Sequence, residues 1–232
     1  MSNKSIILLS GGLDSVVCLG LCKTKYNVQL ALTFDYGQKS VVQEIEAAKK
    51  ISDYYNTEHK VIKLEWLKNI TKTALVSEEK IPEGIDHPED SAKAVWVPNR
   101  NGLFLNIAAS FADSNNYTHI ILGANKEEGA TFPDNTQEFA DRVSAEFEYS
   151  TLNKPKVLVP LINYDKNDIV KLALEQNMPL ELIRSCYQNS ERHCGVCESC
   201  IRLKNALEYN GDTYYTKILF LEYENKIIRK RN

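Results

Sequence analysis

Long apolar runs are missing from this sequence. None of its 232 residues lies in a stretch long enough to span a bilayer. The first apolar run, Ile6 to Leu9, stops at a glycine turn and polar sequence, unlike a secretory signal. The expected compartment is therefore the cytoplasm, where disulfides are rare, so the six cysteines are not expected to form a disulfide framework. A basic excess is missing too. Lys and Arg number 28 against 31 Asp and Glu, a net charge of -3, which argues against a broad cationic face for nucleic acid. The basic KIIRKRN at the C-terminus reads as a solvated tail. Internal repeats and low-complexity tracts are absent. So are a Ser-His-Asp or Cys-His nucleophile arrangement and the Walker pattern G-x-x-x-x-G-K-[ST]. What remains is one α/β domain with appendages, long enough to bury a core without disulfides.

The apolar pattern alternates between two kinds of segment. Ile6 to Leu9, Val28 to Phe34, Val61 to Leu64, Ile120 to Leu122 and Val157 to Val159 read as short buried strands. Between them, Leu13, Val16, Val17 and Leu21 recur at helical spacing. Val41, Val42, Ile45, Ala48, Ser52 and Tyr55 do the same, as do Leu103, Phe104, Ile107, Ala108 and Phe111. This order predicts a Rossmann-like parallel five-stranded sheet with helices on both faces, and ligands at the carboxyl ends of its strands. Two segments break the rhythm. Residues 65 to 98 carry Pro82, Gly84, Pro88 and clustered acids and read as a long loop or lid. Residues 123 to 135, GANKEEGATFPDN, read as a polar loop. The character changes near 178, which divides the chain into a body over 1–178 and a small C-terminal cysteine-bearing helical segment over 179–232. Tyr214, Tyr215, Ile218, Leu219 and Phe220 form an apolar patch suited to docking on the body or on a second subunit.

The first strand runs straight into Ser10-Gly11-Gly12, and a helix follows. Glycines permit close backbone approach, a helix N-terminus offers free N–H groups, and Ser10 and Ser15 add hydroxyls, all of which suit a phosphate or pyrophosphate. The alternative is a tight turn with Asp14 as a first-turn acid. Asp14 stands where a phosphate-gripping loop usually carries lysine, and a carboxylate tolerates phosphate only with a cation such as Mg2+ between them. At the end of the second strand, Asp35 and Gln38 read either as site residues or as turn residues.

Cys186, Cys194, Cys197 and Cys200 follow the pattern C-x7-C-x2-C-x2-C. Four thiolates close a tetrahedral site of the structural type, so one structural Zn2+ per chain is expected, with an iron–sulfur cluster as the rival. His193 reads as a bystander, and Cys18 and Cys22 as buried thiols.

The stretch Ser10-Gly11-Gly12-Leu13-Asp14-Ser15 resembles the PP-loop, SGGxDS, of the ATP-pyrophosphatase group. Together with Val97-Pro98-Asn99-Arg100-Asn101, Gly123-Ala124-Asn125 with Pro133-Asp134, and the four cysteines, the chain resembles the QueC family over roughly residues 5 to 207. The resemblance implies the PP-loop fold and a cytoplasmic homodimer that makes 7-cyano-7-deazaguanine from 7-carboxy-7-deazaguanine, ammonia and ATP with Mg2+, through adenylated intermediates. That product is a precursor of queuosine or archaeosine, and the enzyme handles the free base, not the nucleic acid. The resemblance also implies ATP against Leu9, Ser10, Gly11, Gly12, Leu13, Asp14, Ser15, Val16, Val17, Cys18, Leu19 and Asp35. It places the substrate near Asn99, Arg100, Asn125 and Asp134, and catalysis on Asp14, Arg100 and Lys166. By chemistry, Arg100 suits an α-phosphate or a substrate carboxylate, against a surface salt bridge. Lys166 reaches the phosphates or is a solvated first-turn lysine. Asp134 would accept from the N1–H and 2-amino group of the base, with Glu127 and Glu128 as alternatives and an N-cap role before a helix at Thr136 as the plain reading. With no glutaminase domain attached, ammonia is expected free from solution. Two rivals stand: another PP-loop adenylating enzyme acting on tRNA, and a non-catalytic zinc-stapled nucleotide-binding protein.

Overall fold

Alternation along a single strand builds the core. In the computed structural model, which describes residues 3–84 and 94–220, β1 (Ser5–Leu8) is buried along its whole length. Successive side chains of a strand point to opposite faces. Ile6 and Leu8 accordingly enter one buried cluster, and Ile7 and Leu9 the other.

In chain order, α1 (Leu13–Lys25), β2 (Val28–Asp35), α2 (Val41–Tyr54) and β3 (Glu58–Lys63) follow β1. Then come α3 (Arg100–Asn115), β4 (His119–Ile121), α4 (Lys126–Thr131), α5 (Gln137–Ser150), β5 (Lys156–Leu158) and α6 (Lys166–Glu175). Helices α7 (Glu198–Tyr209) and α8 (Tyr214–Leu219) complete the described chain. The five strands pair in parallel in the order β3-β2-β1-β4-β5. Residues of α1, α2, α6 and α7 form the buried cluster on one face, and those of α3 and α5 the cluster on the other. The order reverses between β1 and β4. Connections from these two strands leave to opposite faces and open a crevice at their carboxyl ends, where ligands of such sheets bind.

Expected elements differ from the observed ones in three places. Strand β3 covers Glu58–Lys63 and not Val61–Leu64, because it is a sheet edge with four of its six residues exposed and a correspondingly polar sequence. Residues 123 to 135 are not a loop. Asn125 caps α4, its side chain accepting from Glu128 N at 3.0 Å, and Pro133–Asn135 forms a 3-10 turn. Residues 65 to 98 include a 3-10 turn at Leu67–Asn69; Pro88, much of the acidic cluster, and the basic tail lie outside the described residues.

The C-terminal segment docks on the body. Leu219 and Phe220 are buried in the same cluster as α1 and α6, while Tyr214 and Ile218 stay exposed. Among the described residues, no helix is long and apolar enough to cross a membrane.

Candidate active site

The Ser10–Gly12 turn is pressed into the crevice by close packing. Gly11 adopts φ +80°, and a Cβ there would stand 2.9 Å from that of Ala47 and 3.0 Å from Ala48 N on α2. Gly123, at the end of β4, lies against the first turn of α1, where a Cβ would be 3.0 Å from Ser15 N. Gly12 caps α1 without a side chain. Hydroxyls therefore gather around the first turn, whose N–H groups lack intrahelical partners. Gly12 N donates to Ser10 Oγ at 3.2 Å, Ser15 Oγ donates to Gly12 O at 3.0 Å, and the two serine oxygens lie 3.3 Å apart.

This turn borders a cavity of about 250 Å3. Its walls come from the turn and α1 (Ser10, Gly12, Leu13, Asp14, Ser15), the end of β2 (Phe34, Tyr36, Gln38), and α3 (Arg100, Asn101, Phe104). The 123–135 segment adds Gly123, Glu128, Phe132, Asp134 and Asn135, and α6 adds Lys166. The C-terminal segment adds Arg184, Ser185, Tyr187 and Ser199. Trp96 and Phe132 stack on the wall with ring centres 5.6 Å apart and planes at 10°.

Electrostatics divide the cavity in two. At one end Lys166 Nζ donates to both oxygens of Asp14, at 2.9 and 2.7 Å, with the side chains only 14% and 16% exposed. Burial alone would lower the lysine pKa, but Asp14 and then Glu128 outweigh it and hold Lys166 above its ordinary value. Glu128 faces the same end. Burial first, then the Asp14 charge, push its carboxyl up to about 7, against the pull of Lys166, Arg100 and Arg202. At the other end Arg100 Nη1 donates to Tyr36 Oη at 3.3 Å. Burial opposes the guanidinium charge, but Tyr36 and Asp134 more than compensate and hold its pKa above normal. Asp134 is buried. Its Oδ1 accepts from Asn135 Nδ2 at 2.9 Å and its carbonyl from Asn101 Nδ2 at 3.2 Å. Burial lifts its carboxyl above the usual range, and Arg100 pulls part of that back.

Several expected residues lie elsewhere. Val16, Val17, Cys18 and Leu19 have no exposed surface and belong to the core, so their side chains do not line the cavity; Leu9 and Leu13 do. Gly11 packs on α2 behind the turn. Asp35 is a turn residue, Oδ1 accepting from Gly37 N at 3.2 Å, and does not line the cavity. Gln38 lines it, yet its amide is spent on Tyr36 N, Phe34 O and Glu44. Asn99 sits at φ 53° ahead of α3, off the cavity wall, and makes no side-chain capping hydrogen bond. Asn125 is fully buried behind the wall as the α4 cap, with its Nδ2 unpartnered. Glu127 is spent on structure, accepting from Lys166 N at 3.0 Å and pairing with Arg202. Thr136, not Asp134, caps α5, accepting from Phe139 N at 3.1 Å. Sequence reasoning missed Tyr36, Trp96, Phe132, Ser185 and Tyr187. The only hint was the position of Ser185 and Tyr187 on either side of Cys186.

The four cysteines cluster behind this wall. Their sulfurs all lie within 4.8 Å of one another, and Cys194 Sγ and Cys200 Sγ are 3.8 Å apart. A tetrahedral zinc with bonds of about 2.3 Å spaces its sulfurs by about 3.8 Å, so the set fits such an ion and leaves no open position. Backbone N–H groups of Gln188 and Cys194 point at Cys186 Sγ, and that of Cys197 at Cys194 Sγ, each at 3.4 Å. His193 is turned away; its Nε2 accepts from Ser185 N at 3.0 Å. Burial holds the Cys18 thiol high and pushes Cys22 up to about 11, as inert thiols require. From this cluster the chain reaches back to the turn: Arg184 N donates to Gly11 O at 2.7 Å, and Ser185 Oγ accepts from Leu13 N at 3.2 Å.

The family model described as "Queuosine biosynthesis protein QueC" matches residues 4–211. The chain is 51% identical over 209 residues to the 7-cyano-7-deazaguanine synthase of Carboxydothermus hydrogenoformans, covering 88% of this chain and 97% of that one. It is 46% and 47% identical, each over 219 residues, to the synthases of Methanosarcina barkeri and Methanosarcina mazei, covering 90% of this chain and 95% of each relative. The match takes in the serine-glycine turn, every wall of the cavity and the cysteine cluster, and the chain belongs to the QueC family.

Proposed function

We propose that this protein is an ATP-dependent C–N ligase that converts 7-carboxy-7-deazaguanine and ammonia into 7-cyano-7-deazaguanine. The observation that carries this reading is the convergence on one cavity of a lysine-less phosphate turn, a cation pair (Lys166, Arg100) and two acids (Glu128, Asp134). A carboxylate is a poor electrophile. Attack of its oxygen on the α-phosphorus of ATP expels pyrophosphate and leaves an acyl adenylate. Ammonia then displaces AMP to give the amide. A second adenylation, on the amide oxygen, lets AMP depart again and leaves the nitrile.

The residues divide this work. Ser10, Ser15 and the first-turn N–H groups of α1 donate to the departing pyrophosphate. Asp14 is the carboxylate suited to the Mg2+ that accompanies ATP, an ion that would neutralise phosphate charge. Lys166, held cationic beside it, adds a positive charge at the same end. Arg100 orients the substrate carboxylate or the α-phosphate by paired N–H donors. Asp134, beside Arg100, accepts from the donor edge of the base. The four cysteines hold a zinc ion that is structural, because four sulfurs leave no place for a substrate.

The deciding experiment is incubation with ATP, ammonia and 7-carboxy-7-deazaguanine, followed by mass spectrometry for the nitrile and assay of AMP and pyrophosphate. Acid-dependent formation of all three is expected. Release of ADP, or turnover indifferent to the acid, overturns the reading. Elemental analysis should find one zinc per chain; iron with a visible absorption band overturns that assignment.

A further inference from the structure

Ammonia has three N–H bonds and a nitrile has none. A site that carries nitrogen from one to the other must take up three protons as the C–N bonds form and AMP leaves. Among the described residues, no histidine lines the cavity. Asp14 is bridged by Lys166 through both oxygens, and Lys166 and Arg100 are held as cations. Burial keeps Tyr36 protonated well into the alkaline range. Asp134 already accepts from Asn135 and is assigned above to the donor edge of the base. Glu128 is different. It projects from the first turn of α4 into the cavity and faces Asp14, Lys166 and Arg100 together, the groups that the synthase reading sets around the phosphates and the reacting carboxylate. Among the described residues, its carboxylate forms no hydrogen bond or ion pair, whereas the adjacent Glu127 is fully engaged.

We propose that Glu128 is the general base that removes protons from the substrate nitrogen, a role that rests on the synthase reading above. In the first half, nitrogen bonds to the acyl carbon, the C–O bond to AMP breaks with its electron pair on AMP, and the surplus N–H proton passes to Glu128. In the second half, the adenylated amide loses its two N–H protons to Glu128 in turn. The first pair stays on nitrogen as the lone pair of the neutral O-adenylated imidate, and the second forms the third C–N bond as the second C–O bond breaks with its pair on AMP. Between transfers, the carboxyl returns each proton to solvent. Asp14 on α1, Lys166 on α6, Arg100 on α3, Arg202 on α7 and Tyr187 all face this group. Their balance leaves the carboxyl near neutrality, where a general base works best.

The test separates the two halves of the chemistry. Glu128→Gln keeps the volume and removes the base. With ATP and the acid but no ammonia, pyrophosphate exchange into ATP should persist in this variant. Amide and nitrile formation with ammonia should fall by about a hundredfold or more, the usual worth of a general base. The wild-type rate should rise with pH through about 7, the carboxyl pKa, and Glu128→Gln should lose that limb, while Glu128→Asp restores part of it. Nitrile formation at the wild-type rate, or parallel loss of exchange and nitrile, overturns the role. If the wild-type enzyme itself shows no acid-dependent exchange, the synthase reading falls, and this role with it.

Discussion

A carboxylate on a cavity wall can serve a helix end, a neighbouring cation or a ligand, and the acids around this site divide those roles. Glu127 is held by Lys166 N and Arg202, and Asp14 by Lys166. Asp134 caps no helix and lines the cavity beside Arg100, the position proposed above for reading the base. Replacing it with alanine should therefore raise the KM for the deazaguanine by about ten- to a hundredfold, the worth of hydrogen bonds to a charged group. The KM for ATP should stay near its wild-type value. Steady-state kinetics with each substrate varied in turn reads the split. If both constants hold while the melting temperature falls, Asp134 is structural and the base edge is read elsewhere. Roles of this kind were only half legible in the sequence. Asp35 and Asp134 look alike as acids beyond a strand, and only the fold turns one into its own loop and the other into the cavity.

At the scale of elements, the cysteine segment is tied to the serine-glycine turn. Ser185 and Arg184 hold Leu13 N and Gly11 O, and Ser185 is in turn held by His193 and adjoins Cys186. Cys197→Ser should lose metal and melt several degrees lower. It should also raise the KM for ATP about two- to tenfold, the worth of one such hydrogen bond. Metal analysis alongside ATP kinetics checks this; metal loss with an unchanged KM would show that the segment holds its seat without the ion. The serine-glycine turn and the cysteine spacing were readable because each is a contiguous run of diagnostic chemistry. Helix α4 was not, because it buries no residue and so leaves no apolar stripe to read. Helix α5 carried the ordinary signal in Ala140, Val143 and Phe147. The contact of Ser185 with Leu13 spans most of the chain, and no local pattern announces it.

For the molecule as a whole, stability and function meet in one ion pair. Asp14 and Lys166 tie α1 to α6 across the point where the sheet reverses, and both side chains are largely withdrawn from water. A charge left alone there is costly. Asp14→Asn should therefore lower stability at neutral pH by about 2 kcal/mol, a charge-assisted bond exchanged for a neutral one. For a chain of this size, that is a fall of about 4–8 °C in melting temperature. The pH dependence distinguishes this from a packing defect. Lys166 is held above its ordinary value, so the folded state keeps a proton that the unfolded chain releases. The stabilisation is then complete below the ordinary lysine range, near pH 10.4, and is lost as pH rises through the higher folded value. In Asp14→Asn the largest source of that elevation is gone, so the gap between the two proteins should be wide at pH 8 and close at strongly alkaline pH. Thermal unfolding of both proteins across that range measures it. A gap that stays constant would mean the substitution acts through packing. Nitrile formation at the wild-type rate in the same variant would remove Asp14 from the chemistry, leaving the pair with structural work alone.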